Sequence, residues 1–136
     1  EQWQNGYPNP QSIEQDLALG NAYVLVDNDE VLAYAAIIFD VEPAYEVLDT
    51  WLTNGDYVVI HRVATSDAAK GKGLATKLFE MIEELAISKG VLSIKVDTNF
   101  DNAPMLRIMD RLGYTYCGEV YFHGSARKAF EKVLNQ

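Results

Sequence analysis

The sequence contains only one cysteine, Cys117, among its 136 residues. A single thiol cannot form an intrachain disulfide or a cysteine cluster for a metal ion, so we expect no metal site and a reducing compartment, the cytoplasm. Long hydrophobic runs are also missing. None approaches the roughly 20 apolar residues that a membrane-spanning helix needs, and no secretory signal is visible, so the sequence predicts no membrane partner.

Basic residues are scarce. The sequence has 11 Lys and Arg residues against 20 Asp and Glu residues, which gives a formal net charge of −9. Because a nucleic-acid-binding protein needs a basic surface to displace the counterions of the phosphates, no nucleic acid is expected as a partner. Apolar residues make up 49% and charged residues 23%, which is the ordinary mixture of a globular protein.

Repeats, low-complexity tracts and flexible linkers are also absent from the sequence. We therefore expect residues 1–136 to form a single domain. The chain begins at Glu1 rather than at a methionine, and we expect an N-terminal piece to be missing from it.

The hydrophobic pattern predicts a chain in which strands alternate with helices. The longest predicted helix runs from Gly73 to Lys89, with an apolar stripe formed by Leu74, Leu78, Met81, Ile82 and Leu85. An apolar run from Tyr57 to Thr65 predicts a central strand. The other predicted elements are helices at 9–19 and 102–112, a hairpin of strands at 22–26 and 31–39, and strands at 93–96, 114–122 and 127–134. This order indicates an α/β or α+β layer fold.

One segment combines features of an anion-binding site. The central strand leads into a glycine-rich turn that begins the long helix, where Gly71 and Gly73 alternate with Lys70 and Lys72. The first turn of a helix leaves backbone N–H groups unpaired and carries about half a positive charge, and glycine lets the backbone approach a bulky anion. The segment therefore predicts a pyrophosphate cradle, with a merely structural tight loop as the alternative. The Walker and Rossmann glycine patterns are not present.

The same segment resembles the acetyl-CoA loop of GNAT-superfamily N-acetyltransferases, written [QR]-x-x-G-x-[GA]. It reads KGKGLA at 70–75 and follows VAT at 63–65. Lys70 stands where Arg or Gln is usual, which keeps the charge but loses the forked guanidinium. A second motif of the family, an Asn that opens the next helix and a closing Leu-Gly-Phe, is similar to Asn102 and the sequence LGY at 112–114.

The resemblance implies a GNAT-type fold, in which a mixed, mainly antiparallel twisted sheet is flanked by helices and splayed at the central strand. It also implies that the family's N-terminal strand and helix are missing here, and that acetyl-CoA is the co-substrate. Backbone groups on the central strand would pair with the pantetheine arm, the glycine-rich turn would hold the pyrophosphate, and Asn102 would bond the pantetheine amides or the acetyl group. The implied cofactor-binding residues are Val63, Ala64, Thr65, Lys70, Gly71, Lys72, Gly73, Leu74, Ala75 and Asn102.

The activity implied by the resemblance is transfer of an acetyl group to a primary amine of a small molecule or protein, by direct attack in a ternary complex. An ammonium must first lose a proton, so a base is needed. His61 is the candidate, because histidine titrates near neutral pH and because it resembles in position a base histidine of the arylalkylamine branch of the family. A strand histidine that is satisfied by a neighbour is the alternative.

One position departs from the family. Met109 stands where a tyrosine often protonates the leaving thiolate, and a thioether donates no proton. Either another tyrosine takes that role, or the thiolate leaves unaided; the candidates are Tyr114, Tyr116 and Tyr121. The departure keeps a second function open, a catalytically weak CoA-binding sensor or interaction module, and a homodimer is left open as well.

An acidic and aromatic stretch precedes the central strand. Acidic groups attract cationic substrates, so this stretch predicts an amine-binding mouth or, alternatively, a solvated acidic face. Its residues are Glu42, Tyr45, Glu46, Asp49 and Trp51.

Overall fold

The structure is a computed structural model that describes residues 10–66 and 73–135. Three residues of the predicted cradle, Lys70, Gly71 and Lys72, lie outside the described residues. Within the described ranges the elements are α1 (Pro10–Ala18), β1 (Ala22–Asp27), β2 (Glu30–Ile38), α2 (Pro43–Glu46), β3 (Val58–Thr65), α3 (Leu74–Ser88), β4 (Ser93–Thr98), α4 (Ala103–Leu112), β5 (Thr115–Phe122) and β6 (Ser125–Val133).

These elements belong to two compact units. In the described ranges, unit 1 comprises residues 10–38, 60–66 and 73–82, and unit 2 comprises residues 39–59 and 83–135. The strand order is β1-β2-β3 in unit 1 and β4-β6-β5 in unit 2. The pairs β1/β2, β4/β6 and β5/β6 are antiparallel. The predicted combination of helices with mainly antiparallel strands is therefore confirmed.

Unit 1 is built on the predicted hairpin. Asn28 and Asp29 have φ values of 53° and 65°, which is the left-handed pair that a two-residue hairpin turn needs to match the twist of its strands. The middle of β2 is buried from Ala33 to Ile37. Helix α1 is followed by Gly20, whose φ of 74° is a conformation that glycine adopts without steric cost and that ends helices.

Unit 2 contains a three-stranded antiparallel sheet with β6 in its centre. Strand β4 is buried along its whole length, as expected for a strand with little room for a wet face. A shift in the register of β5 against β6 lies between Tyr116 and Gly118. The buried apolar residues of this unit include Tyr45, Val58, Val59, Ile94, Val96, Met109, Val120 and Ala129.

Two details differ from the sequence prediction. The segment after β2 contains the short helix α2, which begins at Pro43 after Glu42 caps it by accepting a hydrogen bond from the Ala44 amide. On α3, Met81 was placed in the apolar stripe but is 46% exposed, whereas Phe79 is fully buried. The buried stripe therefore keeps Ile82 and contains Phe79 rather than Met81, because each helical residue turns the side chain by about 100°.

The helices of the described residues are too short or too polar to cross a membrane. In the same ranges, His, Cys, Asp and Glu side chains form no group of three that could hold a metal ion.

Candidate functional site

Strand β3 changes in burial after residue 60 and in backbone conformation at Arg62. Residues 58–60 are buried, whereas residues 61–65 are only half-buried. Arg62 has a φ of 55°, a left-handed conformation that costs a non-glycine residue about 1–2 kcal/mol. The regular strand is therefore interrupted directly before 63–65, the residues that the resemblance assigns to the pantetheine arm.

The unusual conformation of Arg62 is held by an ion pair with helix α1. The guanidinium donates from Nε to Asp16 at 2.9 Å and from Nη2 to the other carboxylate oxygen at 2.5 Å. Asp16 also accepts a hydrogen bond of 2.5 Å from the Tyr34 hydroxyl. Because two parallel bonds fix both the position and the plane of a guanidinium, Asp16 determines where this part of β3 lies.

The electrostatics of Asp16 agree with its geometry. Burial pushes the pKa of the carboxyl upward, but the hydrogen bonds from Arg62 and Tyr34 and the positive charge of the guanidinium outweigh burial, so the pKa of Asp16 is below its ordinary value. The residue is 2% exposed. A buried carboxylate with three hydrogen bonds stays ionised at neutral pH, which keeps the ion pair intact.

His61, the candidate base, lies on β3 next to this ion pair. Its side chain is half-buried, and it interacts electrostatically with Asp16. His61 has interaction partners of its own in the structure. Its position at the interruption of β3 is compatible with either interpretation of the sequence, a proton acceptor or a strand histidine held by neighbours.

The start of α3 provides the described part of the predicted cradle. Gly73 is exposed with a φ of 68°, and its carbonyl accepts the first helical bond, from Lys77, at 3.1 Å. Among the described residues, a Cβ added to Gly73 would meet nothing within 4 Å, and the first turn of α3 contains no acidic residue. Leu74 and Ala75 follow as half-buried residues. This acid-free helix start suits an anion, because its N–H groups and its dipole favour negative charge.

Asn102 lies in unit 2, at the start of α4. Its side-chain oxygen accepts a hydrogen bond of 3.2 Å from the Met105 amide, so it caps the helix as the sequence predicts. The residue is half-buried. Its side-chain NH₂ group donates to no atom of the described residues, and it is therefore available to an acceptor on a ligand.

The candidate acids occupy different environments in unit 2. Met109 is 1% exposed and belongs to the core. Tyr114 is buried, and burial followed by the charge of Glu83 raises the pKa of its phenol well above the ordinary value. Tyr116 and Tyr121 are 52% and 59% exposed, and the Tyr121 hydroxyl donates to Glu119 at 3.0 Å.

Cys117 is a buried residue rather than a reactive one. Its thiol donates to the Thr115 carbonyl at 3.3 Å, and burial, followed by the charge of Glu131, raises the pKa of the thiol. Because the thiolate is the nucleophilic form, these surroundings keep Cys117 unreactive near neutral pH.

A pocket of about 520 Å³ lies in unit 2, and most of it was not foreseen from the sequence. All of its lining residues belong to 39–57 and 91–95. Of the predicted acidic and aromatic stretch, Tyr45, Glu46 and Trp51 line the pocket, whereas Glu42 and Asp49 do not. Tyr57 and Lys95 also line it, although no local pattern singles them out in the sequence.

The aromatic walls of the pocket are fixed by hydrogen bonds. The Tyr45 hydroxyl donates to Asp97 at 2.5 Å, and the indole nitrogen of Trp51 donates to the Tyr45 carbonyl at 2.8 Å. The Tyr57 hydroxyl donates to Glu46 at 2.7 Å. Burial, followed by this hydrogen bond, raises the pKa of Tyr57 to about 12, so the phenol is neutral at physiological pH.

A buried glutamate holds the chain that carries Trp51. Glu131, on β6, is fully buried and accepts hydrogen bonds from the Leu52 amide at 2.7 Å, the Thr53 hydroxyl at 2.5 Å and the Ser93 hydroxyl at 2.6 Å. These bonds attach residues 52–53 to strands β4 and β6. The segment next to Trp51 is therefore held in place by contacts within the protein.

Comparison with known proteins shows what this fold is similar to. Residues 1–114 match the model of the acetyltransferase (GNAT) family. A GNAT-family acetyltransferase from Streptococcus agalactiae 2603 superimposes with a TM-score of 0.85 at 32% identity, over 98% of this chain and 76% of that one. A putative acetyltransferase from Salmonella typhimurium, solved with its cofactor acetyl-CoA, superimposes with a TM-score of 0.62 at 21% identity, over 90% of this chain and 70% of that one.

A curated relative is similar to this chain in sequence, with an identity close to that of the Streptococcus agalactiae structure. It is a streptothricin acetyltransferase from Escherichia coli, 30% identical over 94 residues, or 68% of this chain. The chain spans about half of that relative's length, 52%.

Proposed function

Because the chain belongs to the GNAT acetyltransferase family, as the resemblance predicted, we propose that it is an N-acetyltransferase that moves an acetyl group from acetyl-CoA to a primary amine of a small molecule or protein. The observation that carries this proposal is the family match over residues 1–114, which includes the junction of β3 and α3. The match to an acetyltransferase from Escherichia coli supports it. Direct attack in a ternary complex is the proposed route.

The residues at this junction fit acetyl-CoA. Half-buried backbone at Val63, Ala64 and Thr65 would pair with the pantetheine arm, and the acid-free helix start at Gly73, Leu74 and Ala75 would hold the pyrophosphate. Lys70, Gly71 and Lys72 would complete the cradle, and the NH₂ group of Asn102 would bond a pantetheine carbonyl. The Salmonella typhimurium structure with acetyl-CoA supports the choice of cofactor. When bound, acetyl-CoA supplies the thioester carbonyl that the amine attacks.

His61 is the proposed proton acceptor. A neutral imidazole nitrogen would take the proton that the substrate ammonium must lose before its amine can attack, and histidine exists partly in this form near neutral pH. The half-buried position of His61 beside the interruption of β3 supports this role. Since Met109 is buried and its thioether holds no proton, the leaving thiolate departs without an acid at that position.

Met109 also favours a second candidate function. A chain that binds CoA but lacks the family's usual acid is suited to sensing acyl-CoA with weak catalysis. The two functions share the cofactor site and differ only in turnover. Under either function we propose a single domain, a cytoplasmic location and the capacity to form a homodimer.

The test is thermal unfolding of the chain with and without excess acetyl-CoA, with ATP and NAD as controls. A ligand at about 100 times its dissociation constant adds about 2.7 kcal/mol to the native state, which raises the midpoint of a domain of this size by several degrees. A rise with acetyl-CoA alone supports the cofactor site, and equal rises with ATP or NAD contradict it. Release of CoA thiol with an amine then separates the enzyme, which turns over, from the sensor, which does not.

A further inference from the structure

The pocket in unit 2 has the size and the walls of a ligand site. Its volume of about 520 Å³ lies in the range of small-molecule pockets. Tyr45, Trp51 and Tyr57 form an aromatic cluster, with the ring centre of Tyr45 lying 5.2 Å from that of Trp51 and 6.3 Å from that of Tyr57. Because hydrogen bonds already fix these rings, a ligand would not have to order them, and such preorganisation favours binding.

Lys95 is a buried residue that lines this pocket. It is 3% exposed, and its Nζ atom lies 4.1 Å from the ring centre of Tyr57 and 4.5 Å from that of Trp51. Among the described residues, its hydrogen bonding consists of one long contact to the Thr53 carbonyl at 3.5 Å. An ammonium has three N–H donors. In the described residues this one faces two aromatic rings and has one long hydrogen bond, so it could still donate to an acceptor on a ligand.

The surroundings of Lys95 shift the pKa of its ammonium group. Burial lowers the pKa of Lys95, and the negative charges of Glu131 and Glu46 oppose that effect. A buried donor without a good acceptor costs free energy, which an acceptor brought by a ligand would recover. The part of the pocket at Lys95 therefore favours a neutral acceptor such as a carbonyl oxygen.

The mouth of the pocket has the opposite character. Asp40, Glu46 and Asp56 line the pocket and are exposed, in contrast to the buried Lys95. Three carboxylates against one ammonium leave a net charge of −2 on the lining. A concave surface of one sign concentrates ligands of the other sign, so the mouth favours a cation.

We propose that this pocket binds a compound with a primary ammonium at one end and a carbonyl oxygen at the other, such as an amino acid amide or a longer amino amide. The carbonyl accepts a hydrogen bond from Lys95 Nζ, the hydrocarbon chain lies against Trp51 and Tyr57, and the ammonium lies among Asp40, Glu46 and Asp56. The described residues that line this site belong to unit 2. The proposal concerns binding and does not require that the bound amine be acetylated.

The test uses four compounds of one chain length, 6-aminohexanamide, hexylamine, hexanamide and 6-aminohexanoate, titrated calorimetrically into the full chain without acetyl-CoA. We expect 6-aminohexanamide to bind about tenfold more tightly than hexylamine, which lacks the acceptor, and than hexanamide, which lacks the charge. Because the lining is net negative, we expect 6-aminohexanoate to bind no more tightly than the amide. Equal affinity for hexylamine or for hexanamide, or no binding of any of the four, would overturn the proposal.

Variants of the chain then test which residues bind the ammonium end and which bind the carbonyl end of the ligand. The double change of Asp40→Asn and Asp56→Asn should weaken 6-aminohexanamide several-fold, while Asp49→Asn with Asp110→Asn, which removes the same charge from exposed positions off the pocket, should not. Equal weakening by both pairs would mean that net charge alone attracts the amine, which contradicts the proposed mouth.

Lys95→Met should remove the preference for 6-aminohexanamide over hexylamine. If this variant fails to unfold cooperatively, the four-compound comparison on the natural sequence remains decisive. Since no acetyl-CoA is present, a failure of this proposal leaves the proposed acetyl transfer intact, and a failure of acetyl transfer leaves this binding site intact.

Discussion

Asp16 and Arg62 form a two-pronged ion pair that joins helix α1 to strand β3, at a strand residue whose backbone is left-handed. Left-handed backbone persists at a non-glycine residue only where the surrounding contacts outweigh its cost. The Asp16 carboxylate supplies that contact from a position that is itself 2% exposed. The pair therefore fixes the interruption of β3 directly before the segment assigned to the cofactor.

We predict that Asp16→Asn lowers the free energy of unfolding by about 1–3 kcal/mol, because it leaves the Arg62 charge without its counterion and places an NH₂ group where an acceptor is needed. The expected loss is smaller than for a fully buried pair because the Arg62 side chain is 28% exposed. Urea unfolding measures the change. Glu14→Gln, an exposed substitution on the same helix, is the control, and an equal loss in both variants would refute the role of the pair.

The same pair predicts a pH dependence. The pKa of Asp16 is lowered in the folded chain, so its stabilising effect is present above the unfolded-state pKa of about 3.9 and is lost as the pH falls through the folded-state pKa. The difference in unfolding free energy between the natural sequence and Asp16→Asn should therefore be constant from about pH 5 to about pH 7 and should shrink below about pH 4. Urea titrations across this range provide the measurement, and a difference that grows on acidification would contradict the assignment.

Much of the fold could be predicted from local sequence signals. Gly20, Gly90 and Gly113 follow the ends of three helices, and each has the positive φ that a helix stop requires. Asn28 and Asp29 form the hairpin turn expected between two β-rich runs. In each case one or two residues determine the local backbone, so one sequence suffices.

The parts that sequence did not reveal depend on partners distant along the chain. The sequence around Arg62 does not predict a left-handed conformation, because the carboxylate that stabilises it, Asp16, is 46 residues away along the chain. The sequence pattern predicts Lys95 to be an ordinary polar residue of a strand, but in the structure it is buried against Trp51 and Tyr57. Such features arise only once the strands are packed, and no periodicity encodes them.

The helix start at Gly73 gives a prediction about cofactor affinity. Gly73→Glu should weaken acetyl-CoA binding about tenfold or more, because it places a carboxylate at the helix start that is proposed to hold the pyrophosphate. The φ of 68° adds backbone strain for any side chain. Gly20→Glu is the matched control, since Gly20 is also exposed, has a φ of 74° and leaves equal space for a Cβ. If calorimetry shows that both variants lose acetyl-CoA affinity to the same extent, the proposed pyrophosphate cradle at Gly73 is contradicted.

The role of His61 is tested by turnover and its pH dependence. His61→Asn should lower kcat about 100-fold or more while leaving acetyl-CoA affinity nearly unchanged, because removal of a general base affects proton transfer rather than cofactor binding. The rise of kcat with pH near neutrality should disappear with it. His123→Asn is the control, since His123 is exposed and its φ of 53° suits asparagine. If His61→Asn keeps the pH–rate profile of the natural sequence, His61 is a structural residue of β3 and not the general base.

Cys117 should react slowly with thiol reagents in the folded chain. Burial and the charge of Glu131 raise the pKa of its thiol, and the thiol donates to the Thr115 carbonyl, so little accessible thiolate exists near neutral pH. We expect a disulfide reagent to modify Cys117 about 100-fold more slowly in the folded chain than in urea, since modification requires local opening. Ser88→Cys introduces an exposed thiol that should react fast in the same assay. Rapid modification of Cys117 itself would contradict the burial argument and would also add background to a CoA-release assay.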